Sequence, residues 1–231
     1  MNQEVMPDYR EYLHLEWEKF VADPSRARAS LEATAAMEIK RVLDVGCGAG
    51  QEMLPFITER GAMGVGIDIV PIAGDVGREK LAAQAPDGRV HFLRGSAEHL
   101  SFPDGVFDAV ICRLALPYTD NSRALGEAAR VLRPGGRYLL KIHGVRWYLA
   151  LLKDAVKSQN LMTVIYACRV LVAGSIYHLS RHQPRTHIPS AETFQSRWLL
   201  SHELKRHGLT IHSEAPDSNP LTPSFVIVKN S

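Results

Sequence analysis

"VLDVGCGAG", residues 42–50, passes from an apolar strand-like run that contains Asp44 straight into three glycines at alternate positions. Gly46, Gly48 and Gly50 permit positive φ and keep Cβ atoms away where backbone N–H groups must approach something closely. A loop of this kind between a strand and a helix lies at the carboxyl end of the strand, where open α/β sheets bind their ligands. Three glycines alone leave a ligand loop and a tight structural turn equally open. The second element is "GVGIDIV", residues 64–70, where another apolar run ends at Asp68. Asp68 lies roughly twenty residues beyond the loop, where a carboxylate can accept from both hydroxyls of a ribose. It also stands ahead of Pro71 as a helix cap, and the two roles are compatible. Together the two elements point to a nucleoside ligand.

Outward from that loop, "RVLDV", "MGVGID", "VHFLRG", "FDAVIC" and "RYLLKI" alternate with helical stretches, the last of which ("SRALGEAARVL") runs into a stop signal at Pro134, Gly135 and Gly136. Strands buried on both faces and joined by helices predict a parallel, doubly wound sheet. After the fifth strand the rhythm breaks over residues 145–208. "LTIHSEA" and "SFVIVK" then follow, joined by the turn-rich "PDSNPLTP", and predict an antiparallel hairpin at the sheet edge. Upstream, residues 7–37 carry helical spacing interrupted at Pro24.

The chain of 231 residues, 45% hydrophobic and 23% charged, can bury one full core, so one elaborated domain is expected. A net charge of +2 is far from that of a dedicated nucleic-acid binder. Three cysteines form no paired framework and no zinc-ligand spacing, and the start lacks the basic-then-apolar pattern of a secretory signal. The expectations are a cytoplasmic location and metal independence.

The blocks "VLDVGCGAG", "GIDI", "GSAEHLSFPDGVFDAVIC" and "ARVLRPGGRYLL", over residues 40–143 and in this order, resemble the class I S-adenosylmethionine-dependent methyltransferases. The resemblance is nearest to the small-molecule branch typified by ubiquinone-biosynthesis-like enzymes. It implies a Rossmann-like α/β fold with a seven-stranded, doubly wound sheet, a C-terminal antiparallel hairpin and a helical insertion after the fifth strand. The expected division is an N-terminal helical lid (1–39), a cofactor-binding core (40–144), a helical cap (145–208) and the closing hairpin (209–231). The glycines fit G-x-G-x-G, whereas a dinucleotide fingerprint has its third glycine one residue later.

Position by position, the resemblance implies that Asp44 lies near the methionine ammonium of S-adenosylmethionine. The backbone from Gly46 through Cys47 and Gly48 to Gly50 would pack along the methionine moiety. Asp68 would hold the ribose and Ile69 would cover the adenine. The family segment usually reads G-D-A; here Ser96 replaces the Asp before Ala97, which weakens the adenine contact or moves it onto Glu98. Arg113 opens the loop that lines the reacting centre, and S-adenosylhomocysteine is the implied product. "LALPYTD" lacks the N-P-P-Y signature of adenine and glutamine amide methylation.

Methyl transfer from a sulfonium is an in-line displacement in which the protein supplies alignment, worth on the order of 7–11 kcal/mol. A base is optional. Among the ten histidines, His143 at the end of "LLKIHG" lies on the ligand-binding rim and is the candidate base, although a plain polar rim residue is the commoner role. Tyr118 either orients a substrate hydroxyl or packs.

Residues 145–208 hold nine Lys/Arg against Asp154, Glu192 and Glu203, a net of +6. Within them, residues 161–179 carry only Arg169 as a formal charge. A membrane crossing fits by length, but a mid-span arginine costs roughly 2.5–3.5 kcal/mol and a lone span between strands of one sheet would tear the domain apart. Three readings stand: a packed cap or homodimer contact, a cap enclosing a hydrophobic or lipid-like acceptor, and peripheral docking on an anionic membrane. Nucleic acid is not expected as a partner. The functional expectation is O- or C-methylation of a small, hydrophobic, lipid-like or aromatic acceptor. The competing readings are a nicotinamide-dependent oxidoreductase and a cofactor-binding protein that transfers nothing.

Overall fold

A computed structural model describes residues 9–85, 87–184 and 192–230. The first eight residues of the expected lid and part of the expected cap lie outside the described residues. The elements are α1 (Tyr9–Ala22), α2 (Ser25–Ala33), β1 (Arg41–Val45), α3 (Leu54–Arg60), β2 (Met63–Asp68), α4 (Pro71–Leu81), β3 (Val90–Arg94) and β4 (Phe107–Arg113). Then come α5 (Asn121–Val131), β5 (Leu132–Lys141), α6 (Val145–Lys157), α7 (Leu161–Ser180), α8 (Arg197–Arg206), β6 (Leu209–Glu214) and β7 (Ser224–Lys229).

The seven strands order as β3-β2-β1-β4-β5-β7-β6, with β7 antiparallel to both β5 and β6 and the other pairs parallel. This is the doubly wound, Rossmann-like sheet with a C-terminal hairpin that the sequence predicts. Strand side chains alternate between faces, and the core divides accordingly. Val42, Ala109 and Ile111 join Met53 and Phe56 on one face, while Leu43, Val45, Val110 and Cys112 join Leu125 and Leu140 on the other. Helices cover both faces, so β1 is buried from Val42 to Val45 and shows no polar alternation.

Chain order reverses between β1 and β4, so the crevice at their carboxyl ends lies at the switch point. α1 buries Leu13, Trp17 and Phe20 at helical spacing and packs by Leu13 and Trp17 on the β1 side of the sheet. It ends where Asp23 accepts from the Ser25 amide at 3.0 Å, which opens α2. Tyr148 of α6, Val170 of α7 and Phe194 form a separate, smaller core.

One local expectation changes. Pro134, Gly135 and Gly136 do not stop α5, which already ends at Val131 because Leu132 turns extended. Leu132 pairs with Phe107, and the register shifts before Arg137 pairs with Ala109. The Pro-Gly-Gly run, with Gly135 at φ 73°, therefore forms the irregularity inside β5.

Candidate active site

A cavity of about 250 Å³ opens at the switch point, walled by Asp44, Gly46, Cys47 and Gly48 from the glycine loop and by Tyr9, Tyr12, Leu13 and Glu16 from α1. Arg26, Gln51, Glu52, Arg113, Leu114 and Lys141 complete it. The loop is shaped by close contacts. Leu114 adopts φ 64°, a left-handed turn that strains a leucine, and brings Ala115 over the loop. A Cβ on Gly46 would stand 2.3 Å from that of Ala115, so glycine is required there. Gly50 faces away from the cavity, and a Cβ on it would meet Phe92 at 2.7 Å.

Asp44 is 1% exposed, and its Oδ2 has no hydrogen-bond partner. Burial, reinforced by Glu52, lifts its carboxyl well above the usual range despite Arg113. Such a group is a high-energy acceptor that a cation entering the cavity would relieve. Cys47 lies beside it, its thiol pushed up by burial. Around them runs a chain of ion pairs. Glu52 pairs with Arg26 and, at 3.1 Å, with Arg113, which also pairs with Asp217. Lys141 completes the chain, reaching Asp217 Oδ2 at 3.0 Å. Burial would raise the Asp217 carboxyl, but Arg113 and Lys141 outweigh it and bring it down to about 2.

Asp68 ends β2 beside this cavity. Its carboxylate accepts from the Gly48 amide at 3.1 Å and from Val70 at 2.9 Å, the latter making it the start of the turn into α4. Burial raises its pKa against those hydrogen bonds. Burial and then Asp68 raise the pKa of Tyr9, which walls the cavity from α1. Ile69 is 65% exposed. Ser96, also exposed, accepts from the Glu98 amide at 3.2 Å. The Glu98 carboxylate accepts at 2.8 Å from the amide of Asp120, the cap of α5. Ile69, Ser96, Ala97 and Glu98 do not line the cavity, and Ala97 packs against the core that holds Leu43 and Leu100.

His143 and Tyr118 form a separate aromatic group. Their rings meet edge to face at 6.5 Å, and His143 stacks on Trp147 at 4.8 Å. Burial lowers the His143 pKa to about 4, and its Nδ1 has no protein partner. Burial, then Glu192 and then Tyr12 of the cavity wall, raise the Tyr118 pKa. Glu192 is buried and accepts from Tyr148 at 2.8 Å and from Tyr166 at 2.6 Å.

Sequence reasoning did not reach Arg26, Glu52, Lys141, Asp217 or Glu192. Glu52 alone left a local signal, an acid two residues past the last loop glycine. Asp217 lies in "PDSNPLTP", which reads as a turn and nothing more.

Residues 43–140 match the family model described as a methyltransferase domain. The chain is 37% identical over 131 residues to the ubiquinone/menaquinone biosynthesis C-methyltransferase UbiE of Vibrio cholerae, over 55% of this chain and 47% of that protein. It spans about half the length of the curated relatives it matches. An O-methyltransferase family protein from Burkholderia thailandensis superposes with a TM-score of 0.67 at 18% identity, over 96% of this chain and 60% of the other. A phosphoethanolamine N-methyltransferase of Haemonchus contortus, in complex with S-adenosyl-L-methionine, superposes at 0.55 and 19%, over 80% and 36%. Residues 43–140 of this chain are thus similar to a methyltransferase domain, on a sheet with the fold of the methyltransferases it superposes on.

Proposed function

We propose that the protein is an S-adenosylmethionine-dependent methyltransferase acting on an O or C atom of a small, hydrophobic acceptor. The observation that carries this reading is the buried, unpartnered Asp44 Oδ2 in a cavity walled by the glycine loop. A carboxylate in that state fits the ammonium of an aminoacyl tail, and Arg26 or Arg113 at the same wall fits its carboxylate. Asp68, already held by Gly48 and Val70, fits the ribose hydroxyls, and the exposed Ile69 fits one face of the adenine. When bound, the cofactor supplies a methyl group activated on a sulfonium.

The chain's own contribution is alignment and exclusion of water. α1 covers the cavity with Tyr9, Tyr12 and Leu13 and acts as its lid. The acceptor sits on the Tyr118–His143 side, beneath the helices of the 145–208 cap. His143 is neutral near pH 7, and Nδ1 is the atom that takes the proton from an acidic acceptor O–H or C–H. The protein works in the cytoplasm.

The test is a screen for S-adenosylhomocysteine release against quinol, phenolic and lipid acceptors. Turnover that needs Asp44 and Asp68 supports the reading. Tight cofactor binding with no turnover on any acceptor class would favour a binding protein.

A further inference from the structure

The α6–α7 hairpin carries an outward apolar surface that no part of the described chain covers. On α7 the buried side is Ala167, Val170, Ala173, Gly174 and Tyr177. A Cβ on Gly174 would stand 2.3 Å from the Phe194 ring, so this side is seated tightly on the core beneath. The opposite side presents Leu161, Ile165, Cys168, Val172, Ile176 and Leu179, all exposed and spaced three or four residues apart. That row is about 27 Å long at 1.5 Å per residue. Exposure of the aliphatic side chains along the row runs from 46% at Ile176 to 88% at Leu179. α6 repeats the pattern with Val145, Leu149 and Val156. A continuous apolar face of this extent marks a place where something docks.

The charges beside these rows select the occupant. α6 and α7 with the turn after them hold Arg146, Lys153, Lys157, Arg169 and Arg181 against one acid, Asp154. Asp154 lies about 140° round the helix from Leu149, away from the apolar row. Exposed Trp198 stacks with Arg181, whose guanidinium is 5.6 Å from the ring, at the far end of α7. A second copy packed through a two-fold axis would set this cationic set against itself. An anionic surface is complementary to it, and a tryptophan beside an arginine suits the headgroup region.

We propose that the α6–α7 hairpin docks the protein on an anionic lipid bilayer, lying in the interface with its apolar rows toward the acyl chains. α7 has the length and apolar content to cross a membrane. Crossing would strip Tyr177, Val170 and Gly174 from the packed core, so the helix lies on the surface and does not span. The docked face belongs to the same helices that cover the Tyr118–His143 group. This inference adds a partner to the proposed activity and is tested without turnover.

The experiment is flotation of the full chain with vesicles of equal parts phosphatidylglycerol and phosphatidylcholine, against pure phosphatidylcholine. Binding is expected to the anionic vesicles only and to fall with added salt. Val172→Glu with Ile176→Glu should abolish it. Lys153→Ala with Lys157→Ala should weaken it on the order of 25-fold, since each cation near an anionic surface is worth about fivefold. All variants change exposed residues, and circular dichroism with S-adenosylhomocysteine titration checks that the fold and cavity are intact. No binding to anionic vesicles by a folded chain overturns the proposal. A solution dimer dissociated by Val172→Glu and Ile176→Glu also overturns it and assigns the face to a second copy.

Discussion

The Asp68 carboxylate accepts from the Gly48 amide at 3.1 Å, joining the end of β2 to the glycine loop twenty residues earlier. One side chain thereby tethers Gly48 of the cavity wall and keeps its second oxygen on the Val70 amide. Asp68→Ala removes both the loop tether and the ribose acceptor. S-adenosylhomocysteine affinity should fall about 10–100-fold by calorimetry, the size expected for losing hydrogen bonds to a charged group. Asp68→Asn keeps one acceptor and should lose less. Unchanged affinity in the alanine variant would remove Asp68 from the site.

Asp44 is held at a cost in the ligand-free protein. Its folded pKa is raised, so the folded state favours the protonated carboxyl, and the stability tied to it is present at low pH and lost as pH rises. Asp44→Asn should therefore raise Tm at pH 7.5 while weakening cofactor binding. Each kcal/mol recovered reads as roughly 2–4 °C in a chain of this size. Lower Tm together with undiminished binding would contradict the assignment.

Much of this arrangement was legible in the sequence because parallel strands covered on both faces read as plain apolar runs. β1, β2 and β4 begin and end almost where "RVLDV", "MGVGID" and "FDAVIC" do. β5 was harder, since Pro134–Gly136 carries the same signal for a helix stop as for a strand irregularity. The ion-pair chain was invisible for a different reason. Arg113 and Asp217 are 104 residues apart and Tyr148 and Glu192 are 44 apart, so no local spacing announces either contact.

His143 gives an acid limb unlike that of an ordinary histidine. Its pKa is lowered from 6.5 to about 4, so the unfolded chain binds the extra proton first as pH falls. The stability it contributes is full above 6.5 and is lost between 6.5 and 4, at most about 3 kcal/mol. His143→Ala should flatten that part of the stability profile. If Nδ1 takes the acceptor's proton, the same variant should lower kcat about 10²–10⁴-fold with cofactor affinity unchanged. Full kcat would leave His143 as packing against Trp147.

Asp217 acts in a lower window. Its carboxyl is brought to about 2 from 3.8, so its contribution is present above 3.8 and disappears as pH falls through 2. Asp217→Asn should destabilise the protein at neutral pH by about 2 kcal/mol, because Lys141 and Arg113 lose a charged partner and Arg113 keeps only Glu52. Its urea-unfolding free energy should also vary less between pH 4 and 2 than the parent's. Equal stability of the two proteins at pH 7 would contradict the ion-pair chain.

The most direct measurement is calorimetric titration of the full chain with S-adenosylmethionine, S-adenosylhomocysteine and NAD(P)H. Saturable binding of both adenosyl ligands at one site, lost on substitution of Asp44 or Asp68, and no binding of the nicotinamide is the predicted result. Binding of NAD(P)H in their place, or of none of the three, would contradict the assignment of the cavity.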